Sequence, residues 1–237
     1  MSSFFKNWKW YELTFLVVSL ATIVLCFVIG TDKNYLSLCT SIVGICGVAC
    51  LSKGLVFAPY INVVLGVLYS ILSYTQNYYG EMIVYLAFII PMNIVSIILW
   101  LKNRKDGNSL EVKVNKVSGL EYALYFFALA VLSVAFYFLL KALNTSAIVV
   151  STLSIITLVA AQYLVIRRSS FYAIGFILND MLAITLWSIS VSEYGVEYLP
   201  TVICFCVYFV NDVYGLIHWK VEEKKQMKTE EIGEING

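Results

Sequence analysis

The chain has 237 residues, of which 60% are hydrophobic and 13% charged, and its mean hydropathy is +0.83. That is too little polar surface to cover a protein in water, so a soluble globular domain is excluded. The net charge of +1 points to no partner, and no basic patch marks a nucleic-acid binder.

A spanning helix needs about 20 mostly apolar residues. Eight stretches qualify: roughly 12–30, 35–52, 56–75, 81–101, 119–142, 147–166, 170–190 and 197–219. The expected fold class is an all-α integral membrane protein with eight transmembrane helices. The first stretch follows Lys6 and Lys9, as a signal peptide would. Its apolar run is too long for that, and Gly30-Thr31-Asp32 is no small-residue cleavage site, so a retained helix is expected.

Lys and Arg divide unevenly between alternate connections. One set holds 14 of the 16: Lys6, Lys9, Lys53, Lys102, Arg104, Lys105, Lys113, Lys116, Arg167, Arg168, Lys220, Lys224, Lys225 and Lys228. The other set holds Lys33 and Lys141. Removing any one helix would scramble every later connection. The positive-inside rule therefore predicts eight crossings with both termini cytoplasmic. Asp32, Glu81, Glu193 and Glu197 then fall outside or at the outer boundary.

Residues 102–118 form the longest connection, charged and cytoplasmic. The tail, residues 221–237, is polar without apolar periodicity and is expected to be disordered. No Gly-rich phosphate loop, metal-ligand cluster or Ser/His/Asp set is present, so neither an enzyme nor a bound cofactor is expected. The single His218 stands beside Trp219 and reads as an interfacial residue. The six cysteines (Cys26, Cys39, Cys46, Cys50, Cys204 and Cys206) lie in apolar runs without a Cys-x-x-Cys pair and read as small buried hydrophobes.

Against this background the intramembrane polar residues stand out. Asn211-Asp212 and Asn179-Asp180 interrupt the last two apolar stretches, Asn93 the fourth and Gln162 the sixth. An Asp near the centre of a membrane helix costs roughly 2.5–3.5 kcal/mol on insertion scales, so it is kept for a polar cavity or a partner helix. Neighbouring residues on a helix point about 100° apart, so each Asn and its adjacent Asp face different walls. The Asn side chains suit two roles: bonds between helices, or contacts to sugar hydroxyls and a carboxamide. Asp180 and Asp212 have two readings, helix-to-helix bonding or holding a proton or coupling ion.

Two blocks echo each other. Tyr79-Gly80-Glu81, Asn93 and Trp100 run in the same order as Tyr194-Gly195-Val196-Glu197, Asn211 and Trp219. Each block descends one helix from the outer side and ends on a Trp followed by Lys102 or Lys220. A basic turn, Lys53-Gly54 or Arg167-Arg168, opens each half. Parallel repeats of this kind are one plan for transporters, with the substrate site where the repeats meet. The domains expected are an extra N-terminal helix (1–33), a first three-helix repeat (34–101), the loop (102–118), a linker helix (119–143), a second three-helix repeat (144–220) and the tail.

Ser73-Tyr74, Tyr79-Gly80-Glu81, Pro91-Met92-Asn93, Trp100, Asn179 and Asn211-Asp212-x-Tyr214-Gly215-x3-Trp219 resemble the nicotinamide riboside transporter (PnuC) family over about residues 38–220. The resemblance implies a SWEET-like arrangement of three, one and three helices and a homotrimer in the cytoplasmic (inner) membrane of a bacterial-type cell. It also implies passive uptake of a vitamin-like nucleoside, trapped by cytosolic phosphorylation. Its partners would be that small molecule and membrane lipid. Departures are plain. In the family pattern, two Trp stand where this chain has Tyr172 and Gly175, a Gln is common at Asn93, and the first-half counterpart of Asn179 is Leu65. Ligands such as deoxynucleosides, thiamine or riboflavin therefore stay open, as does a SWEET-type sugar. The expected substrate-binding residues are Tyr85, Asn93, Gln162, Tyr172, Asn179, Tyr208 and Asn211. Trp100, Trp187 and Trp219 have two readings, interface anchor or gate.

Overall fold

The computed structural model describes residues 8–29, 34–75, 79–105, 109–143, 148–194 and 199–236. Among the described residues, eight helices are long and apolar enough to cross a membrane. They are α1 (Trp10–Ile29), α2 (Tyr35–Ser52), α3 (Ala58–Thr75), α4 (Tyr79 to Lys102), α5 (Gly119–Ala142), α6 (Ile148–Ile166), α7 (Tyr172–Tyr194) and α8 (Leu199–Asn236). The expected spans are present with modest shifts at their ends. Gly30-Thr31-Asp32, Lys6, Lys33, Gly195-Val196-Glu197 and the side chains of Tyr79 and Glu193 lie outside what is described.

Local chemistry sets several helix ends. The side chain of Asn34 accepts the Ser37 N–H at 3.0 Å, and that of Ser118 accepts the Glu121 N–H at 3.2 Å. Each satisfies a donor that the first helical turn leaves free. α4 is interrupted: Tyr79–Val84 is α-helical, Tyr85–Ile89 forms a π-turn, and Ile90–Lys102 resumes the α-helix. Pro91 sits at the restart. Having no N–H, it would leave a carbonyl one turn earlier unpaired and clash with it. The π-turn, in which the Ile90 N–H reaches Tyr85 O, absorbs that conflict.

α2 packs on α3 and α3 on α4; likewise α6 packs on α7 and α7 on α8. The two groups meet through α2 with α8 and α4 with α6, while α5 lies on α6 and α1 on α2 and α8. Small residues permit the closest approaches. A Cβ on Gly175 would come within 3.0 Å of the Ala161 backbone, and one on Gly47 would overlap the Asn62 side chain. Such close packing replaces the hydrophobic drive that lipid does not supply. Cys50 and Cys204 are buried as expected, but Cys39 and Cys206 are exposed on the helix surface. A thiol is apolar enough for lipid to accept it there, so an apolar run alone does not tell inside from outside.

The turns after α2 and α6 share one hydrogen-bond pattern. Gly54 N–H reaches Leu51 O and Leu55 N–H reaches Cys50 O at 2.9 and 3.0 Å. Arg168 N–H reaches Val165 O and Ser169 N–H reaches Leu164 O, both at 3.0 Å. The left-handed residue is Gly54 (φ 65°) in one and Arg168 (φ 54°) in the other. This is the helix-ending motif that glycine favours; Arg168 adopts it with a Cβ present.

The long connection is not a loose linker. Val112 N–H bonds to Gly54 O at 3.0 Å, Val56 N–H to Leu110 O at 2.9 Å and Asn115 N–H to Arg168 O at 3.0 Å. It straps both turns together, so all these basic connections share one end of the bundle. Lys105 binds Glu222 at 2.7 Å and Glu111 at 3.0 Å. Burial works against the charged Lys105 ammonium, but these bonds outweigh it and raise its pKa.

The expectation of a disordered tail is corrected: α8 continues as helix to Asn236. Lys220 pairs with Glu223 and Lys225 with Glu222 one turn apart. Gln226 bonds both the N–H and the carbonyl of Val114 at 3.1 Å. Polar composition here marks a helix leaving the membrane and docking on the strap, which an apolar-period test does not detect.

Candidate functional site

At the basic end two Trp side chains are buried with their N–H groups bonded. Trp100 and Trp219 are 0% and 2% exposed, with ring centroids 5.8 Å apart. Trp100 Nε1–H donates to Val165 O at 2.9 Å, and Trp219 Nε1–H donates to Leu51 O at 3.0 Å. These carbonyls hold matching places in the two turns just described, so each Trp crosses from its own helix group to the other. Tyr172 closes the cluster edge-on to Trp219 at 5.1 Å, its hydroxyl donating to Leu51 O at 3.4 Å. Tyr172 thus sits in the tight core beneath the strap. Trp187, on α7, is half-buried.

Deeper in the bundle the polar groups change character. Asn93 is fully buried; its Nδ2 donates to Ile89 O of its own helix at 2.9 Å, and its Oδ1 has no partner. Gln162 is 2% exposed with Nε2 unbonded. These two stand on α4 and α6, helices that join the groups. Asp180 on α7 and Asp212 on α8 are 4% and 3% exposed. Asp180 Oδ2 and Asp212 Oδ1 remain without partners. Buried polar atoms are rarely left unpaired, because each costs about 1–3 kcal/mol. Four of the unpaired buried atoms thus stand on α4, α6, α7 and α8; others are on Arg104, Tyr125 and Arg168 at the basic end.

The three asparagines have different surroundings. Asn179 donates from Nδ2 to Ser154 O at 2.8 Å and Ser154 Oγ at 2.9 Å, bonding α7 to α6. Asn211 Oδ1 accepts the Ser52 hydroxyl at 3.4 Å on the α2 side, away from Asp212, as the 100° step between neighbours requires. Asn211, Ser52 and Tyr208 border a cavity of about 220 Å³ between α1, α2 and α8, otherwise walled largely by apolar side chains. Glu12 and Lys53 edge it, paired at 2.6 Å, and Glu12 also accepts the Tyr214 hydroxyl. This cavity lies against the extra helix rather than between the two three-helix groups. The unpaired atoms of Asn93, Gln162, Asp180 and Asp212 lie instead on helices of the two groups.

Toward the other end, Tyr69 and Tyr85 stack with centroids 4.4 Å apart and planes at 30°. Tyr69 donates its hydroxyl to Glu81 Oε2 at 2.6 Å. Tyr208 lies within electrostatic reach of Tyr69, Tyr85 and Asp180, and its hydroxyl occupies the space beside Gly44 that a Cβ there would need. Sequence reasoning named Tyr85 and Tyr208 but missed Tyr69 as their neighbour and left Glu81 as a boundary acid. Glu81 lies twelve residues after Tyr69, across the α3–α4 connection, and that separation was the available signal.

A sequence model described as the nicotinamide mononucleotide transporter family matches residues 34–221. The chain belongs to that family. It is therefore a multi-pass membrane transporter and not an enzyme. Among curated relatives, the nicotinamide riboside transporter PnuC of Neisseria mucosa is 26% identical over 219 residues, covering 91% of this chain and 82% of that one. The Haemophilus influenzae transporter of the same name is 25% identical, covering 91% and 92%. The crystal structure of a vitamin B3 transporter PnuC superposes with a TM-score of 0.81 at 25% identity, covering 94% of this chain and 95% of the other. The likeness thus extends beyond the stretch that the family model covers.

Proposed function

We propose that this family member carries nicotinamide riboside into the cell by facilitated diffusion, with cytosolic phosphorylation as the trap. The basic end, with both termini, faces the cytoplasm of a bacterial-type inner membrane, and the working unit is a homotrimer embedded in lipid. The observation that carries the reading is the set of unpaired buried atoms on Asn93, Gln162, Asp180 and Asp212 in a chain of this family. The amides suit ribose hydroxyls and a carboxamide, with Asn179 and Asn211 flanking them. Tyr85 and Tyr208 offer faces to a flat cationic ring. Trp100 and Trp219 form the inner gate, Tyr172 backs it, and Trp187 serves the outer one. The matched turns and crossed Trp bonds support two parallel three-helix repeats joined by α5, the SWEET-like three-one-three plan preceded by α1. Rocking of one repeat on the other would alternate access.

Among the described residues, Lys53 is the basic side chain that is buried, and it is tied to Glu12. A phosphate would therefore meet no free cation within the bilayer. In proteoliposomes the riboside should enter down its gradient without a proton or sodium gradient, and the mononucleotide should not. Equal rates for the two would overturn the reading. A second ligand class, such as a deoxynucleoside, thiamine or riboflavin, is favoured by one observation. Tyr172 is packed in the core and Gly175 abuts Ala161, so neither supplies the aromatic wall of the family pattern. Ligand-induced thermal shift across a vitamin panel separates the two readings.

A further inference from the structure

Glu81 stands at the start of α4 with its carboxylate turned toward α3, where Tyr69 holds it at 2.6 Å. Among the described residues no Lys or Arg pairs with it. Beside it lie the stacked rings of Tyr69 and Tyr85. A carboxyl-bearing side chain thus adjoins two stacked tyrosines. Aromatic faces and carboxylates both favour a positive charge; burial disfavours a lone ionised carboxyl, so the attraction is strong only once a cation arrives to pair with it. A neutral ring would gain only the stacking. Lys141, on α5, is exposed and supplies no counter-charge to this cluster.

We infer that Glu81, held in place by Tyr69, determines specificity for a permanently cationic heterocycle, so that the transporter selects pyridinium-type ribosides over neutral ones of the same shape. This rests on the substrate reading above and adds its electrostatic basis. The carboxylate contributes charge, the Tyr69–Tyr85 pair contributes a face, and the Tyr69 hydroxyl fixes the carboxylate's direction.

The test uses the full chain in proteoliposomes with two probes, nicotinamide riboside and its reduced dihydro form, which is neutral and nearly isosteric. The quantity read is the ratio of their initial uptake rates at low concentration. The wild type should favour the cation by about tenfold, and Glu81→Gln should lower the ratio to about two, the part that the tyrosine faces supply. Glu81→Asp should keep most of the preference, since the charge remains. Should Glu81→Gln fail to yield folded protein, Tyr69→Phe, which frees the carboxylate but keeps the ring, should lower the ratio about threefold. A ratio unchanged in Glu81→Gln, or unchanged in Tyr69→Phe where that variant stands in, overturns the assignment. So does a wild-type ratio near one, and in that case the substrate reading survives. Uptake of neither riboside by the wild type overturns the substrate reading and the assignment with it.

Discussion

Two buried regions of this protein treat their polar atoms differently. At the basic end, Trp100, Trp219 and Tyr172 are nearly solvent-free and every ring N–H or hydroxyl has found a carbonyl. In the middle of the bundle, Asn93, Gln162, Asp180 and Asp212 are just as deeply buried, yet each keeps an unpaired atom. The contrast is not complete, since Tyr125, packed in the same core as the two Trp rings, also keeps its hydroxyl unpaired. Under the proposed function, the unpaired atoms on α4, α6, α7 and α8 are those that the ligand completes.

The largest expected effect comes from the Trp cluster. Trp219→Ala removes a fully packed ring and the bond that ties α8 to the end of α2. Such a truncation costs about 3–5 kcal/mol in a packed core. Thermal or denaturant unfolding of the purified protein should show a loss of that size. A loss under about 1 kcal/mol would mean that the Trp cluster is a loose gate and not a sealed end.

Much of this contrast could be read in advance, and the remainder could not, for definite reasons. Span lengths and the alternation of Lys and Arg were enough for eight crossings, because both depend only on local composition. Trp100 and Trp219 were legible as a matched pair from order and spacing. Their partners were not, since Val165 O and Leu51 O are backbone atoms that no side-chain pattern names. That Asp180 and Asp212 interrupt apolar helices was plain from their positions; which wall each faces depends on the rotation of α7 against α8, set by packing rather than by either helix alone. The tail was misread because its helix is stabilised by charge pairs and by Gln226 on the strap, not by an apolar face. The π-turn before Asn93 left only Pro91 as a trace.

A middle-sized effect tests the boundary between the two regions. Asn179 is buried like Asn93, but its amide is spent on Ser154 across the α6–α7 contact. Asn179→Ala should lower stability by about 0.6–1.7 kcal/mol, the range for interhelical bonds in membranes. Unfolding midpoints measured in detergent would check this. No measurable loss would return Asn179 to the group of ligand contacts.

The smallest expected change in stability is at Asn93, and it is the sharpest test of the contrast. Its Nδ2 bonds only to Ile89 O within α4, and its Oδ1 bonds to nothing. Asn93→Leu keeps the branched heavy-atom shape, adds some bulk and removes an unpaired acceptor, so stability should stay within about 0.5 kcal/mol of wild type. Uptake of the transported nucleoside should nonetheless fall by about tenfold, which corresponds to about 1.4 kcal/mol of lost ligand contact. Both measurements belong on the same preparation, because each outcome alone is ambiguous. Lower stability with unchanged uptake would place Asn93 in the scaffold beside Asn179. The equation of unpaired buried atoms with the transport pathway would then fail at the residue where it is most exposed to test.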